Sequence, residues 1–343
     1  MKFMRYVEIG LAVLAALAVL VSLLPTDMWF VRTVDLVREP MSWAALVLLV
    51  LGVIFLRGWD RKVVPALLGL VIVINLWRMW PYLPFGATEI ALSEPVETDR
   101  CFTALAVNVK VKNEDYAGIA QQVRSVDPDV LFLMETDERW VRELQDVITP
   151  YPTSRAHPQP EAFGLVFASR VPASRLSIVE NTHRDTPTVY ATLQLEGTAP
   201  VEFIGLHPKP PLPGWNTEER DENIIRAGTD TPDSLPDGVT MGDFNDVPWS
   251  RTTTAFREEG NWRDPRVGRG TFPTFPSDYL LLGWPLDQLM VRGDVRIRSF
   301  EVMPDNGSDH RAMFGEFCVP RDSNAARAGQ TSPPGESALE PAE

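Results

Sequence analysis

Cysteine is scarce in this chain, and positive charge is in deficit. Cys101 and Cys318 are the two cysteines of the 343 residues, with no Cys-x-x-Cys pair and no histidine cluster beside either. That spacing excludes the common zinc-ligand patterns. It leaves two small buried thiols or a disulfide, a choice that depends on compartment. Lys and Arg number 32 against 46 Asp and Glu, a formal net charge of -14. A broad basic surface gripping nucleic acid is therefore excluded, although a small local basic groove is not. There is no dense basic-aromatic patch; Lys209, Arg220, Arg226, Arg263, Arg266 and Arg269 are the cations available to line such a groove. No internal repeat is visible.

What the chain has in quantity is apolar sequence, concentrated in its first quarter. Ile9 to Leu24, Trp43 to Leu56 and Val63 to Trp77 are nearly unbroken runs. A signal peptide would need a small-x-small cleavage site close after the first run, and none follows. A soluble helical domain would need polar faces, which the runs lack. Each run is shorter than the roughly 20 residues that cross a bilayer. Trp43, Trp59, Trp77, Trp80 and Tyr82 supply interfacial belts that extend them. Residues 1–80 are thus expected to form a membrane region of three transmembrane helices. Lys2, Arg5 and the cluster Arg57, Arg61 and Lys62 place the N-terminus and the second loop on the cytoplasmic side; Arg32, Arg38 and Arg78 pull the other way. The balance predicts a multi-pass cell-membrane protein with everything after Pro81 on the non-cytoplasmic face.

Residues 81–99 read as a Pro-bearing acidic linker, 100–320 as a soluble folded domain, and 321–343 as a disordered tail rich in Ser, Pro, Ala and Glu. Inside the domain, strands are expected at 102–109, 129–134, 163–168, 188–195, 201–206, 239–241, 289–291, 297–302 and 312–318. Helices are expected at 114–126, 140–147 and 217–227. Strands and helices mix without regular alternation, which indicates an α+β fold.

Function points first to Gly242-Asp243-Phe244-Asn245, which follows the apolar run Gly238 to Met241. If the strand continues, Asp243 and Asn245 share one side of it. A carboxylate beside a carboxamide suits an attacking water, a phosphate oxygen or a hard cation. Five other apolar strands also carry a chemically capable residue at one end: Asn108, Glu135, His207, Asp287 and the triplet Ser308-Asp309-His310. Turns and helix caps explain each one singly. In the triplet, adjacent acid and imidazole allow one side chain to orient a group while the other meets the reaction. Six unrelated turns would be six coincidences, whereas one site accounts for all.

Taken in order from about Cys101 to Phe317, these residues resemble the endonuclease/exonuclease/phosphatase superfamily, the fold shared by abasic-site endonucleases, pancreatic-type deoxyribonucleases, neutral sphingomyelinases and inositol polyphosphate phosphatases. The resemblance rests on Asn108, Asp129-Val130-Leu131 leading to Glu135, Gly164 to Arg170, His207, Gly242 to Asn245, Asp287, and Ser308 to His310. It implies a four-layer α/β/β/α sandwich and hydrolysis of a phosphate ester by water, with no covalent intermediate. On this resemblance Asn108, Glu135 and Asp309 would hold a divalent metal, Mg²⁺ foremost, with Mn²⁺ and Ca²⁺ as alternatives. Asp243 and Asn245 would position the water, Asp287 would orient a histidine, and His207 and His310 would contact the phosphate. Gln288 departs from the family, where many members carry His or Arg, and is expected to bear on substrate contacts.

The implied substrate is a phosphate ester, in nucleic acid or in a lipid or sugar phosphate; no protein partner is readable. A phosphodiesterase or nuclease leads, a lipid head-group phosphatase or phospholipase is the alternative, and a catalytically inactive membrane-tethered binding module comes third. In the family the first and last strands are neighbours, which implies a Cys101–Cys318 disulfide at the end away from the site.

Overall fold

Strands β1 (Arg100–Asn108) and β2 (Val130–Met134) are buried almost throughout because they are covered on both faces. Phe102, Ala104 and Ala106 of β1 and Val130, Phe132 and Met134 of β2 face one apolar layer; Leu105, Val107, Leu131 and Leu133 face another. Double cover is what makes a strand read as an unbroken apolar run. The computed structural model describes residues 2–92, 96, 99–183, 185–211, 213–214, 216–279 and 283–321. All but the first residue of the tail expected over 321–343 lies outside them.

Two sheets stack face to face. The first contains β1, β2, β3 (Thr153–His157), β4 (Leu165–Ser169), β10 (Arg296–Val302) and β11 (Met313–Val319), in the order β10-β11-β1-β2-β4-β3. The second runs β5-β6-β7-β8-β9, comprising Ala173–His183, Thr186–Leu193, Val201–Leu206, Gly238–Asp243 and Asp287–Arg292. Their inner faces meet in a layer built on Phe132, Phe167, Phe203, Met241 and Leu289. Gly205 in β7 serves this packing: a Cβ there would stand 2.7 Å from the Phe132 ring.

Outside the first sheet lie α5 (Tyr116–Val126), α6 (Glu138–Glu143) and α7 (Gln145–Ile148), which pack Ile119, Val123, Trp140 and Val147 against it. Outside the second lie α8 (Glu218–Thr229) and α9 (Arg251–Glu259), through Ile224, Ala227 and Phe256. The result is the expected four-layer α/β/β/α sandwich. The single helix expected at 140–147 is divided between α6 and α7 at Leu144.

Among the described residues, four α-helices precede the sandwich: α1 (Lys2–Val21), α2 (Trp29–Leu36), α3 (Arg38–Phe55) and α4 (Asp60–Met79). Among the described residues, two stretches, Arg38–Phe55 and Asp60–Tyr82, are long and apolar enough to cross a membrane. Helices α1, α3 and α4 meet through a seam of Ala12, Ala16, Val19, Ala45, Val64, Leu68 and Val71. Small residues let helices approach closely. Among the described residues, the exposed large hydrophobics fall in the first 96 positions except Val179 and Tyr279, so the helical region is apolar outside as well as in.

The sequence reading did not anticipate α2, and Arg32 and Arg38 are not free loop charges. Arg32 hydrogen-bonds Asp221, Asp35 and Thr252; Arg38 hydrogen-bonds Asp35, Asn75 and Ser22. The segment after α4 is tied to the sandwich. Tyr82 Oη donates to Pro248 O at 3.2 Å, Gly268 N donates to Pro81 O at 2.7 Å, and Arg257 pairs with Glu89.

Cys101 and Cys318 face each other in the antiparallel β1–β11 ladder and are disulfide-bonded. The bond closes a loop of 217 residues, and cross-linking so long a loop restricts the unfolded chain. The Cys101→Ser, Cys318→Ser double variant is expected to lose about 2–5 kcal/mol of stability. Urea unfolding followed by tryptophan fluorescence, with and without reductant, checks this; an unchanged midpoint would refute it.

Candidate active site

Chain direction gathers the polar strand ends at one edge of the sandwich. β1 and β2 are parallel, with Asn108 opposite Met134, so Glu135 follows immediately beside Asn108. β7 and β8 are also parallel and deliver His207 and Asp243 to that edge. β9 runs antiparallel to β8 and begins there, with Asp287 opposite Asp243. β11 is antiparallel to β1, so Ser308, Asp309 and His310 enter beside Asn108, and Ser308 Oγ donates to Asn108 O at 2.7 Å.

The buried Asn108 amide joins the halves. Its Nδ2 donates to Glu135 Oε1 and to Asp243 Oδ2, both at 3.0 Å, while its Oδ1 accepts from Lys110 N at 3.0 Å. Glu135, with φ 61° just past β2, also accepts from Val111 N at 3.1 Å and keeps 17% of its side chain exposed. Gly242, at φ 146°, is held where a Cβ would lie 2.0 Å from Leu206 O, so this close approach of β8 to β7 admits no side chain.

His310 and Asp287 form a buried pair. His310 Nδ1 lies 2.9 Å from Asp287 Oδ2, and its Nε2 lies 3.6 Å from Asp243 Oδ2. Burial alone would lower the His310 pKa, but Asp243 and Asp287 outweigh it and push the imidazole up to about 10. Burial alone would raise the Asp243 carboxyl; His310, His207, the Asn245 N–H and the Asn108 amide overcome it and hold Asp243 low. His207 Nδ1 is 3.2 Å from Asp243 O, and its Nε2 is 3.8 Å from Glu135 Oε1. Phe163 lies against the His207 ring, and Phe275 against His310.

Some residues are placed differently from the sequence reading. β8 ends at Asp243, and Asn245 adopts φ 49°; its N–H donates to Asp243 Oδ1 at 2.8 Å and its Nδ2 to Pro208 O at 3.0 Å. The pair is related by an Asx turn, not by strand alternation. Asp309 pairs with Lys110 Nζ at 3.1 Å. Gln288 is fully buried and donates to Asp246 O and Pro285 O, both at 2.9 Å, so it locks two loops instead of meeting substrate. Arg266 and Arg220 are buried as well; Arg266 is fully enclosed, while Arg220 shows its edge to a pocket it lines with Lys209. Arg266 is bound to Asp264 and to Asp287 O; Arg220 bonds the carbonyls of Lys209 and Phe244. Sequence reasoning passed over Lys110, although it stands two residues after Asn108. It counted Lys209 only as a groove cation; the structure sets it over the Phe163 ring.

A family model described as the Endonuclease/Exonuclease/phosphatase family matches residues 105–310. The chain belongs to the endonuclease/exonuclease/phosphatase family. No curated protein matches it in sequence. Among solved structures it is similar to a family protein from Bacteroides thetaiotaomicron (TM-score 0.53, 16% identity, covering 66% of this chain and 97% of that one). It is also similar to the human Nocturnin catalytic domain with bound sulfate anion (0.53, 14%, 63% and 94%). A third is D. rerio TDP2 complexed with single strand DNA product (0.52, 15%, 63% and 98%). At these identities the likeness is one of fold.

Enzymes of the family hydrolyse phosphate esters and typically use divalent metals. Among the described residues, no three His, Cys, Asp or Glu side chains gather closely enough to cage an ion. The donors present suit a hard cation bound by few protein groups: Glu135 is a part-exposed carboxylate with neutral hydrogen-bond partners. Mg²⁺ binds through one or two carboxylates and keeps several waters. Asn108 turns its N–H₂ toward the carboxylates, so in this arrangement it orients Glu135.

The His310 pKa lies above its ordinary value of 6.5. The charged pair therefore stabilises the fold fully below about 6.5, and that stability is lost as pH rises through about 10. In chelated protein, NMR titration of the ring should give a value near 10 for the wild type and at least about one unit less for Asp287→Asn. An unshifted titration in the variant would remove Asp287 as the cause.

Proposed function

We propose that this chain is a membrane-anchored, metal-dependent hydrolase of phosphate esters, acting as a phosphodiesterase or nuclease. The observation that carries this reading is the joined pair of arrangements at the sandwich edge. The Asp287–His310 pair and the Asn108-bridged carboxylates Glu135 and Asp243 share Asp243 Oδ2. One half presents cationic N–H donors to phosphate oxygens; the other presents carboxylates to a water and a cation.

In this mechanism His310 uses Nδ1–H on Asp287 and has Nε2–H to donate to a phosphate oxygen, which stabilises charge as it develops. His207, buried beside Glu135, contributes a second ring donor. Asp243, held ionised, accepts a hydrogen bond from the attacking water and aligns it, with Asn245 next to it. Glu135 is the residue to hold the ion, and Asp309 stands by as a further carboxylate once released from Lys110. Bound there, Mg²⁺ supplies Lewis-acid stabilisation of the phosphate oxygens; Mn²⁺ and Ca²⁺ have the same oxygen preference.

The anchor is residues 1–80 in three spans, with the catalytic domain at 100–320 on the non-cytoplasmic side. Arg5 pairs with Asp60 at the bundle end where Arg57, Arg61 and Lys62 cluster. The opposite end, with α2 and residues 80–90, meets the sandwich. Arg32 and Arg38, which oppose this orientation in a simple charge count, are neutralised by Asp35 and Asp221. A disulfide suits an exported domain. A lipid head-group phosphatase or phospholipase remains the second reading, favoured by the apolar exterior that would hold the site near a bilayer.

Purified full-length protein in detergent should cleave at least one of DNA, RNA, a phospholipid or a generic phosphodiester with Mg²⁺ and none with chelator. His310→Ala should lower kcat by about 10³-fold. Rates that fall steeply with salt identify a nucleic acid substrate, and flat ones a lipid. Substrate binding without turnover in the wild type would leave a tethered binding module instead.

A further inference from the structure

Away from the active site, a cavity of about 270 Å³ lies where the ends of α1 and α4 meet α2 and α9. Leu24 and Trp77 form its apolar rim and are exposed; Ser22, Arg78 and Arg251 are among its polar walls. Three arginines line it, with the carboxylate Asp35 beside them, and with Arg38 just behind they are not equally satisfied. Arg32 pairs with Asp35 and Asp221, Arg38 with Asp35, and Arg251 with Asp27. Among the described residues, no carboxylate lies within ion-pair distance of Arg78. Its Nη2 reaches only Trp249 O at 3.5 Å, and its Nε is buried without a hydrogen-bond partner.

A guanidinium with a buried, unpaired N–H is costly unless an anion completes it. Its planar fork matches the oxygens of a phosphate. The cavity also stands at the ends of the apolar runs Ile9 to Leu24 and Val63 to Trp77, where tryptophan marks the level of lipid head groups.

We propose that this cavity binds a phosphate group, supplied by an anionic phospholipid of the surrounding leaflet, with Arg78 as its principal contact and Arg251 as the second. The proposal rests on the membrane reading above. It assigns the site a lipid that is bound, not hydrolysed. The phosphate lies between Arg78 and Arg251, and the acyl chains run down past Leu24 and Trp77.

The test compares full-length protein in phosphatidylcholine nanodiscs with and without phosphatidylglycerol, and counts lipids retained by native mass spectrometry. Wild type should retain phosphatidylglycerol over phosphatidylcholine. Arg78→Gln should weaken that preference about tenfold, and Arg78→Lys should keep most of it. Arg251→Gln gives an independent reading if Arg78→Gln fails to fold. Equal retention of both lipids by wild type would overturn the site. Stabilisation by inorganic phosphate alone, to the same extent and lost in the same variants, would overturn the lipid as its source. A chain that stays monodisperse without detergent would overturn the membrane reading instead, which separates the two failures.

Discussion

The amide of Asn108 is the contact on which the site depends. It sits at the end of β1 in one sheet, yet its Nδ2 binds Asp243 at the end of β8 in the other, as well as Glu135. Its Oδ1 takes the Lys110 N–H and its carbonyl takes the Ser308 hydroxyl. A buried amide with every polar group engaged fixes the groups around it, because breaking any one bond leaves a buried partner unsatisfied. The separation of the two sheets at this edge is set by a side chain able to donate twice. The apolar layer behind it, with Gly205 making room for Phe132, sets the separation elsewhere.

A second buried network joins the helical region to the same loops. Arg32 of α2 reaches Asp221 of α8, and Arg220 beside it binds the carbonyls of Lys209 and Phe244, which flank His207 and Asp243 in sequence. Asp246, placed between these arginines and two acids, is pushed up to about 6, by burial first, with Arg220 and Arg32 opposing and Asp221 and Asp35 adding to it. Paired buried charges specify a geometry more than they add stability. Here they fix how α2 sits against the loops that carry the site.

The elements that could be read from sequence are those buried on two faces or paired with a clear period, such as β1, β2, β7 and β11. The strands passed over, β3 and β5, are edge strands, like β10 and β9, but unlike the wholly buried β9 they are largely uncovered. With one side unpaired and many residues exposed they carry little apolar signal. Helix α2 hides in what reads as a charged loop, because its one arginine, Arg32, finds an acid that lies 189 residues away. Gln288 and Arg266 look like surface polar residues beside a site, and only their partners, distant in sequence, show them to be buried struts.

The residue types at the strand ends, the apolar runs and the scarcity of cysteine were decided in the sequence, because burial and periodicity act on neighbours along the chain. Asn108, Glu135, His207, Asp243, Asp287 and His310 could be named as a set, since each ends or begins an apolar run. What each one touches was decided by the tertiary structure. The Asx turn at Asn245, the Lys110–Asp309 pair and the raised His310 depend on distances between segments far apart in sequence. Coulomb interactions and hydrogen bonds follow those distances, and no local pattern encodes them.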